Sequence, residues 1–135
     1  MKTGRNLAYI ALAALLSACG SNFEWFPTYV DKLAPTVTAT IAPDGAPTAS
    51  VTIFNNRTTH VPLPATVKFS VDEAATIYYT TNGSDPTTGS PSVAASANTN
   101  TTGPQITLTN TILQFFGMDT LSNKSAVQRA TIVLP

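Results

Sequence analysis

The 135-residue sequence contains one cysteine, one histidine and one tryptophan, and charged side chains make up only 10% of it. One cysteine cannot close an intrachain disulfide, so burial alone must hold the fold. A lone histidine beside a lone cysteine falls short of the ligand set of a His/Cys zinc site. No serine sits in a Gly-x-Ser-x-Gly elbow that His60 could serve as base, and no glycine-rich phosphate loop is present. Glycoside hydrolysis needs two carboxyl groups set across a cleft, whereas Asp72 and Glu73 are adjacent, so their side chains diverge. With seven basic and seven acidic residues, formal net charge is zero, which gives no electrostatic attraction to nucleic acid. The longest apolar run, Leu7 to Leu16, is ten residues, about half of the ~20 that cross a bilayer core as a helix. These shortages argue against an enzyme, a cofactor-binding or metal protein, and a permanent transmembrane anchor.

What is present begins at the amino terminus. A basic tip (Lys2, Arg5), the apolar run and then Leu16-Ser17-Ala18-Cys19 follow the order of a secretory signal. Ending at a cysteine, the segment resembles the lipobox of bacterial lipoproteins. That resemblance implies a diacylglyceryl group on the Cys19 thiol, cleavage before it, and residues 1–18 as a signal peptide. Gly20 in place of an aspartate resembles the signal that sorts such proteins to the outer membrane. Each buried methylene adds about 0.8 kcal/mol, so two or three acyl chains hold a protein firmly where one does not. Removing the basic tip leaves five basic against seven acidic residues. No basic patch draws the mature chain to anionic lipid, and attachment rests on acylation. Residues 19–35 then read as a lipidated tether, with two prolines and no alternation. Its aromatic residues Phe23, Trp25, Phe26 and Tyr29 suit packing against the end of a domain or, for Trp25, the headgroup layer.

From Thr36 the apolar period becomes two. Val37, Ala39 and Ile41 alternate with threonine, as in a half-buried strand. The turn-forming run Ala42 to Pro47 ends that strand, and Ser50 to Phe54 forms the next. Val67, Phe69 and Val71 face inward in a strand over Ala65–Val71. Ile77 and Tyr79 do so in Ala75–Thr80, which turns Tyr78 outward. The stretch Asn82–Pro104 is polar and reads as a long loop, Asn55–Thr59 is a shorter polar segment, and His60, between Thr59 and Val61-Pro62, reads as a surface loop residue. Ile106–Thr109, Ile112–Asp119 and Ala126–Leu134 complete six or seven strands. In the last, Val127 is out of phase with Ile132 and Leu134, which a β-bulge near Arg129 would reconcile. No window shows an apolar 3.6-residue period, so helices longer than a turn or two are not expected. Short strands separated by Gly, Pro and Asn clusters predict an all-β, antiparallel immunoglobulin- or fibronectin-III-like sandwich over residues 36–135.

The run Ala75-Thr76-Ile77-Tyr78-Tyr79-Thr80-Thr81-Asn82-Gly83-Ser84-Asp85-Pro86-Thr87 resembles the signature of chitobiase/β-hexosaminidase C-terminal-type domains. The later strand Thr111–Asp119, followed by Asn123-Lys124-Ser125, is similar to the family's second motif, although Leu121-Ser122 stands where a small residue and glycine are usual. The resemblance covers roughly residues 36–135. It implies an immunoglobulin-like sandwich and an accessory role, because in the enzymes that give the family its name catalysis belongs to a separate domain.

Candidate ligand-binding residues are Tyr78, as a stacking face, and Asn82 with Asp85, whose oxygens could gather a calcium ion. The alternative account of the loop is a tight turn, in which Asn-Gly takes φ > 0 and Asn, Ser and Asp cap the backbone. The expected function is that of a lipid-anchored, non-catalytic module. Its partner is another envelope or extracellular protein reached through the Asn82–Pro104 stretch, or else a polysaccharide, as in an adhesin. Replacing the lipidation residue (Cys19→Ser) is expected to leave an uncleaved or soluble precursor. Detergent-phase partitioning checks this, and partitioning unchanged from wild type would refute the anchor.

Overall fold

Two-residue alternation becomes a stable strand only where one of its faces finds a partner layer. The computed structural model describes residues 30–135; the signal segment, Cys19 and the tether aromatics Phe23 to Tyr29 lie outside the described residues. Nine strands form: β1 Val37–Pro43, β2 Val51–Ile53, β3 Arg57–His60, β4 Ala65–Val71, β5 Ala75–Thr80, β6 Ser92–Ala95, β7 Asn100–Ile106, β8 Thr111–Asp119 and β9 Gln128–Val133. They make a four-stranded sheet in the order β2-β1-β4-β7 and a five-stranded sheet in the order β3-β9-β8-β5-β6. The fold is therefore the all-β immunoglobulin-like sandwich. No helix among the described residues is long and apolar enough to cross a membrane.

The register follows from the alternation. Ile41 pairs with Val67, Ala39 with Phe69 and Val37 with Val71, so the inward positions of β1 and β4 coincide row by row. The same holds opposite, where Ile77 pairs with Gly117 and Tyr79 with Phe115. Phe69 of one sheet meets Phe115 of the other with ring centroids 5.1 Å apart and an interplanar angle of 54°, and Tyr79 lies 6.0 Å from Phe69. Such tilted contacts add to the large apolar area that each ring removes from water. Ile41, Ile77, Ile106, Leu113 and Ile132, with Val61 and Val67, are further large side chains buried completely in the interior.

Several details differ from the sequence reading, each for a packing reason. There are nine strands, not six or seven, because the polar segments also pair. Arg57–His60 is a strand and not a loop: it runs parallel to β9, placing Thr59 opposite Ile132 and burying it. This one parallel pairing makes the five-stranded sheet mixed instead of purely antiparallel. The supposed Asn82–Pro104 loop holds all of β6 and most of β7. Val93 pairs with Ile77 and Ala95 with Ala75, while β7 turns only Thr101 and Gly103 toward Phe69 and Val67. With threonine and glycine at inward sites, no alternation was there to read.

The bulge is also elsewhere. β9 pairs with β8 continuously from Gln128 to Ile132, with Ala130 and Ile132 inward. Val127 lies before the strand at the surface and Leu134 after it, 50% exposed, so neither needs a bulge to bring it inside. The register shift falls between Thr66 and Lys68 of β4, where β7 sets Gly103 and Pro104 opposite Val67 alone. Proline is tolerated at a bulge because the ladder needs no donor there. Glycine is required because a Cβ at position 103 would lie 2.8 Å from Phe69 Cδ2. The strand expected over Ile106–Thr109 ends at Ile106.

The domain takes in residues ahead of Thr36. Pro35 is fully buried, and a Cβ on Gly117 would come within 3.3 Å of its Cγ. The Asp31 carbonyl accepts a hydrogen bond from Asn123 Nδ2 at 3.1 Å. The chain thus joins the sandwich beside the β8–β9 connection and leaves it, through β9, at the other end.

Truncating the central ring (Phe69→Ala) is expected to cost about 3–5 kcal/mol, a large part of the roughly 5–15 kcal/mol that holds a domain folded. Denaturant or thermal unfolding measures it. An unmoved midpoint would mean that the inward face of β4 is misassigned.

Candidate functional site

Pairing Tyr78 with Phe116 across β5 and β8 puts both rings on the outer face of the five-stranded sheet. Their centroids are 5.2 Å apart and the planes differ by 22°, a stacked arrangement. Lys124, from the β8–β9 connection, brings its Nζ to 3.9 Å from the centroid of Phe116. A cation over an aromatic face is attracted by the ring quadrupole. Phe116 is only 1% exposed although it lies outside the interior cluster. The sequence reading missed Phe116, although the signal was available: of two adjacent residues in a strand, Phe115 and Phe116, one must face away from the core. Lys124 is eight residues further on, beyond a turn, and no periodicity links it to the rings.

The loop Asn82–Pro86 is committed to its own geometry. Asn82 Oδ1 accepts from the Ser84 amide at 3.0 Å and from the Ser84 hydroxyl at 2.7 Å, while Thr80 Oγ1 donates to the Ser84 carbonyl. Gly83 has φ of 81°, which a side chain rarely adopts, and its amide donates to the Ile112 carbonyl at 3.1 Å. Gln114 Nε2 donates back to the Gly83 carbonyl at 2.6 Å. The Asn82 side-chain oxygen and the Gly83 and Ser84 carbonyls are thus taken up by protein donors, while Asp85 stands apart at the surface. Tyr78 and the loop are not one constellation. Asn82 bridges to Ile112, four residues along β8 from Phe116, a separation of about 13 Å at strand rise.

The family's second motif is likewise a turn. Asp119 accepts from the Leu121 and Asn123 amides, each at 2.8 Å, and from Asn123 Nδ2 at 2.7 Å. Ser125 Oγ accepts from the Gly117 amide at 2.9 Å. Ser122, where glycine is usual, takes φ of 69°. Asp44 organises the opposite end, accepting from the Thr66 hydroxyl at 2.7 Å and from Gln105 Nε2. His60 is exposed, its Nδ1–H donating to the Leu134 carbonyl at 3.2 Å. Among the described residues no group of three His, Cys, Asp or Glu side chains could hold a metal ion.

Comparison with known families fits this geometry. The family model described as the chitobiase/β-hexosaminidase C-terminal domain matches residues 56–129, which is 74 of the 135 residues. The chain belongs to this family. The matched span runs from β3 into the start of β9 and contains both turn motifs, while β1 and β2 precede it. No curated protein and no solved structure matches the chain. In chitobiase the C-terminal domain is non-catalytic and immunoglobulin-like.

Three carboxyl groups gathered at the end where the chain joins the sandwich are shifted from their ordinary range. The Thr36 amide, donating at 2.7 Å, holds Asp72 below the usual carboxylate range. Burial pushes Asp119 up, but the donors on Asn123 and Leu121 outweigh it and hold that group low as well. Burial raises Glu73, and repulsion from Asp31, Asp119 and Asp72 adds to the rise. A lowered carboxyl contributes stability above its unfolded value, near 4, and loses it as pH falls through the folded value. A raised one does the reverse, contributing below about 4 and losing its effect as pH rises through the folded value. Thermal midpoints are therefore expected to fall below about pH 4, with a shallower fall for Asp72→Asn combined with Asp119→Asn. For Glu73→Gln the midpoint is expected to rise at neutral pH. Midpoints that do not vary between roughly pH 6 and pH 3 would contradict this.

Proposed function

We propose that the chain is a lipid-anchored lipoprotein of the bacterial outer membrane whose sandwich binds a partner and catalyses nothing. The anchor rests on Leu16-Ser17-Ala18-Cys19 and the charged and apolar segments before it. A non-catalytic role is supported by how the carboxylates are used. Asp44, Asp72 and Asp119 each hold a turn or a chain junction through protein donors, which leaves them unsuited to proton transfer. Membership in a family whose domain in chitobiase is non-catalytic points the same way.

Of the two partner classes, carbohydrate is the better supported. The protein reading relied on a long loop over Asn82–Pro104, and much of that stretch is taken up by β6 and β7. The carbohydrate reading gains an outward, partly exposed Tyr78 ring backed by the buried Phe116. This pair is the observation that carries it. Sugar rings stack on aromatic faces through their C–H groups, and a Tyr held by a neighbour loses little conformational entropy on binding.

The full acylated chain in detergent, mixed with washed envelope material, separates the classes. Retention abolished by prior periodate oxidation of the envelope, which cleaves vicinal diols, and unaffected by protease, is the expected result. The converse pattern would assign the partner to protein, and no retention at all would overturn the binding role.

A further inference from the structure

One buried ring holds two exposed groups of different chemistry side by side. Lys124 is exposed and rests its ammonium on Phe116, while the half-exposed Tyr78 stacks on the same ring. Nζ lies 3.9 Å and the Tyr78 centroid 5.2 Å from the Phe116 centroid, so cation and phenol cannot be farther apart than those two lengths together. The carboxylates stand away from this pair. By strand alternation, the residues facing outward from the five strands include Arg129, one row from Phe116 beside Gln114, and no acid. Asp119 belongs to the end of the sandwich: it is buried, three residues beyond Phe116 or about 10 Å at strand rise, and accepts from three N–H donors of its own turn. Glu73, five residues before Tyr78, is farther still, and Asp85 belongs to the Asn82–Pro86 loop. Exposed charges a Debye length apart, ~8–10 Å, are largely screened from one another.

We infer that Tyr78 and Lys124 together hold an acidic sugar of an anionic polysaccharide, the pyranose against Tyr78 and its carboxylate or sulfate at the Lys124 ammonium. The inference rests on the carbohydrate reading above and names the class of polymer. A tyrosine or a lysine alone is ordinary on a protein surface. Side by side, they match a ligand with a C–H face to its ring and an acid group at its rim. A neutral sugar would leave the ammonium unanswered, whereas an acid group forms a charge-assisted hydrogen bond with it. Arg129 stands one row away for the next acid group of the polymer, and Ser92, exposed in the row of Tyr78, offers a hydroxyl to the sugar edge. Phe116 is a positioning residue. It is buried, and it holds phenol and ammonium in place before the ligand arrives.

The test uses the full chain in an uncharged detergent without a sugar headgroup. It measures retention on polyacrylamide beads carrying alginate (carboxylated), heparin (sulfated), dextran or chitin (both neutral). Wild type is expected to prefer alginate or heparin to both neutral polymers, the better of the two showing which acid group is held. That binding is expected to weaken steeply as salt rises to about 1 M. Lys124→Met, which keeps an apolar stem over Phe116, is expected to weaken acidic binding about fivefold or more, and Lys124→Arg to keep it. Tyr78→Ala is expected to weaken it by at least about tenfold, and Tyr78→Phe to keep it. Thermal unfolding confirms that each variant is folded at the temperature of the assay. Acidic binding that survives either Lys124→Met or Tyr78→Ala would overturn the paired site and leave the carbohydrate reading standing. Neutral polymers bound as well as acidic ones would do the same. Absence of binding to all four by folded wild type would overturn both.

Discussion

The distance between the two sheets is set by a pair of rings, Phe69 and Phe115, and other features of the sandwich accommodate them. Because Phe69 reaches across the interior, β7 cannot carry a side chain at position 103, and glycine there is joined by a bulge that takes up the extra residue. Because Phe115 faces inward, Phe116 must face outward. The same alternation that builds the core thus places a large apolar ring on a solvent face, where Tyr78 and Lys124 cover it.

The family signature turns out to be architectural. In the first motif the Asn82 side chain, Gly83 and the Ser84 hydroxyl close a turn that Gln114 fastens to β8. In the second, Asp119, Asn123 and Ser125 tie the β8–β9 connection both to itself and to Asp31. These are polar residues in loops, the pattern usually taken for chemistry, yet their hydrogen-bonding capacity is spent on backbone. A single polar side chain that satisfies two or three amides can fix a turn that no apolar contact would specify. The Tyr78 of the same signature is different, because its hydroxyl-bearing ring is held in place by packing and half-exposed.

How much was legible in the sequence depended on what filled the inward positions. β1, β4 and β5 could be read because Val, Ile and Phe alternate there with Thr, Lys and Ser. β3, β6 and most of β7 could not, since their inward sites hold Thr59, Val93 with Ala95, and Thr101 with Gly103 ahead of Ile106, and tertiary pairing made strands of them all the same. The turn chemistry of Asn82–Pro86 was readable from residue types alone. The outward aromatic pair was half readable: alternation gave Tyr78, but its partner on β8 lies 38 residues away and only register reveals it. The parallel β3–β9 pairing left no local mark, since the two strands are far apart in the chain.

That pairing bears on what happens when the chain is pulled by its ends. The polypeptide joins the sandwich at Asp31, next to Asn123, and departs beyond Val133 at the opposite pole, so tension runs lengthwise through β1 and β9. Both strands would have to slide past their neighbours, β1 against β4 and β9 against β8 and β3. Sliding loads a whole row of hydrogen bonds in shear at once, whereas peeling a hairpin breaks them singly. A sandwich wired this way opens only when a whole row of hydrogen bonds gives way together.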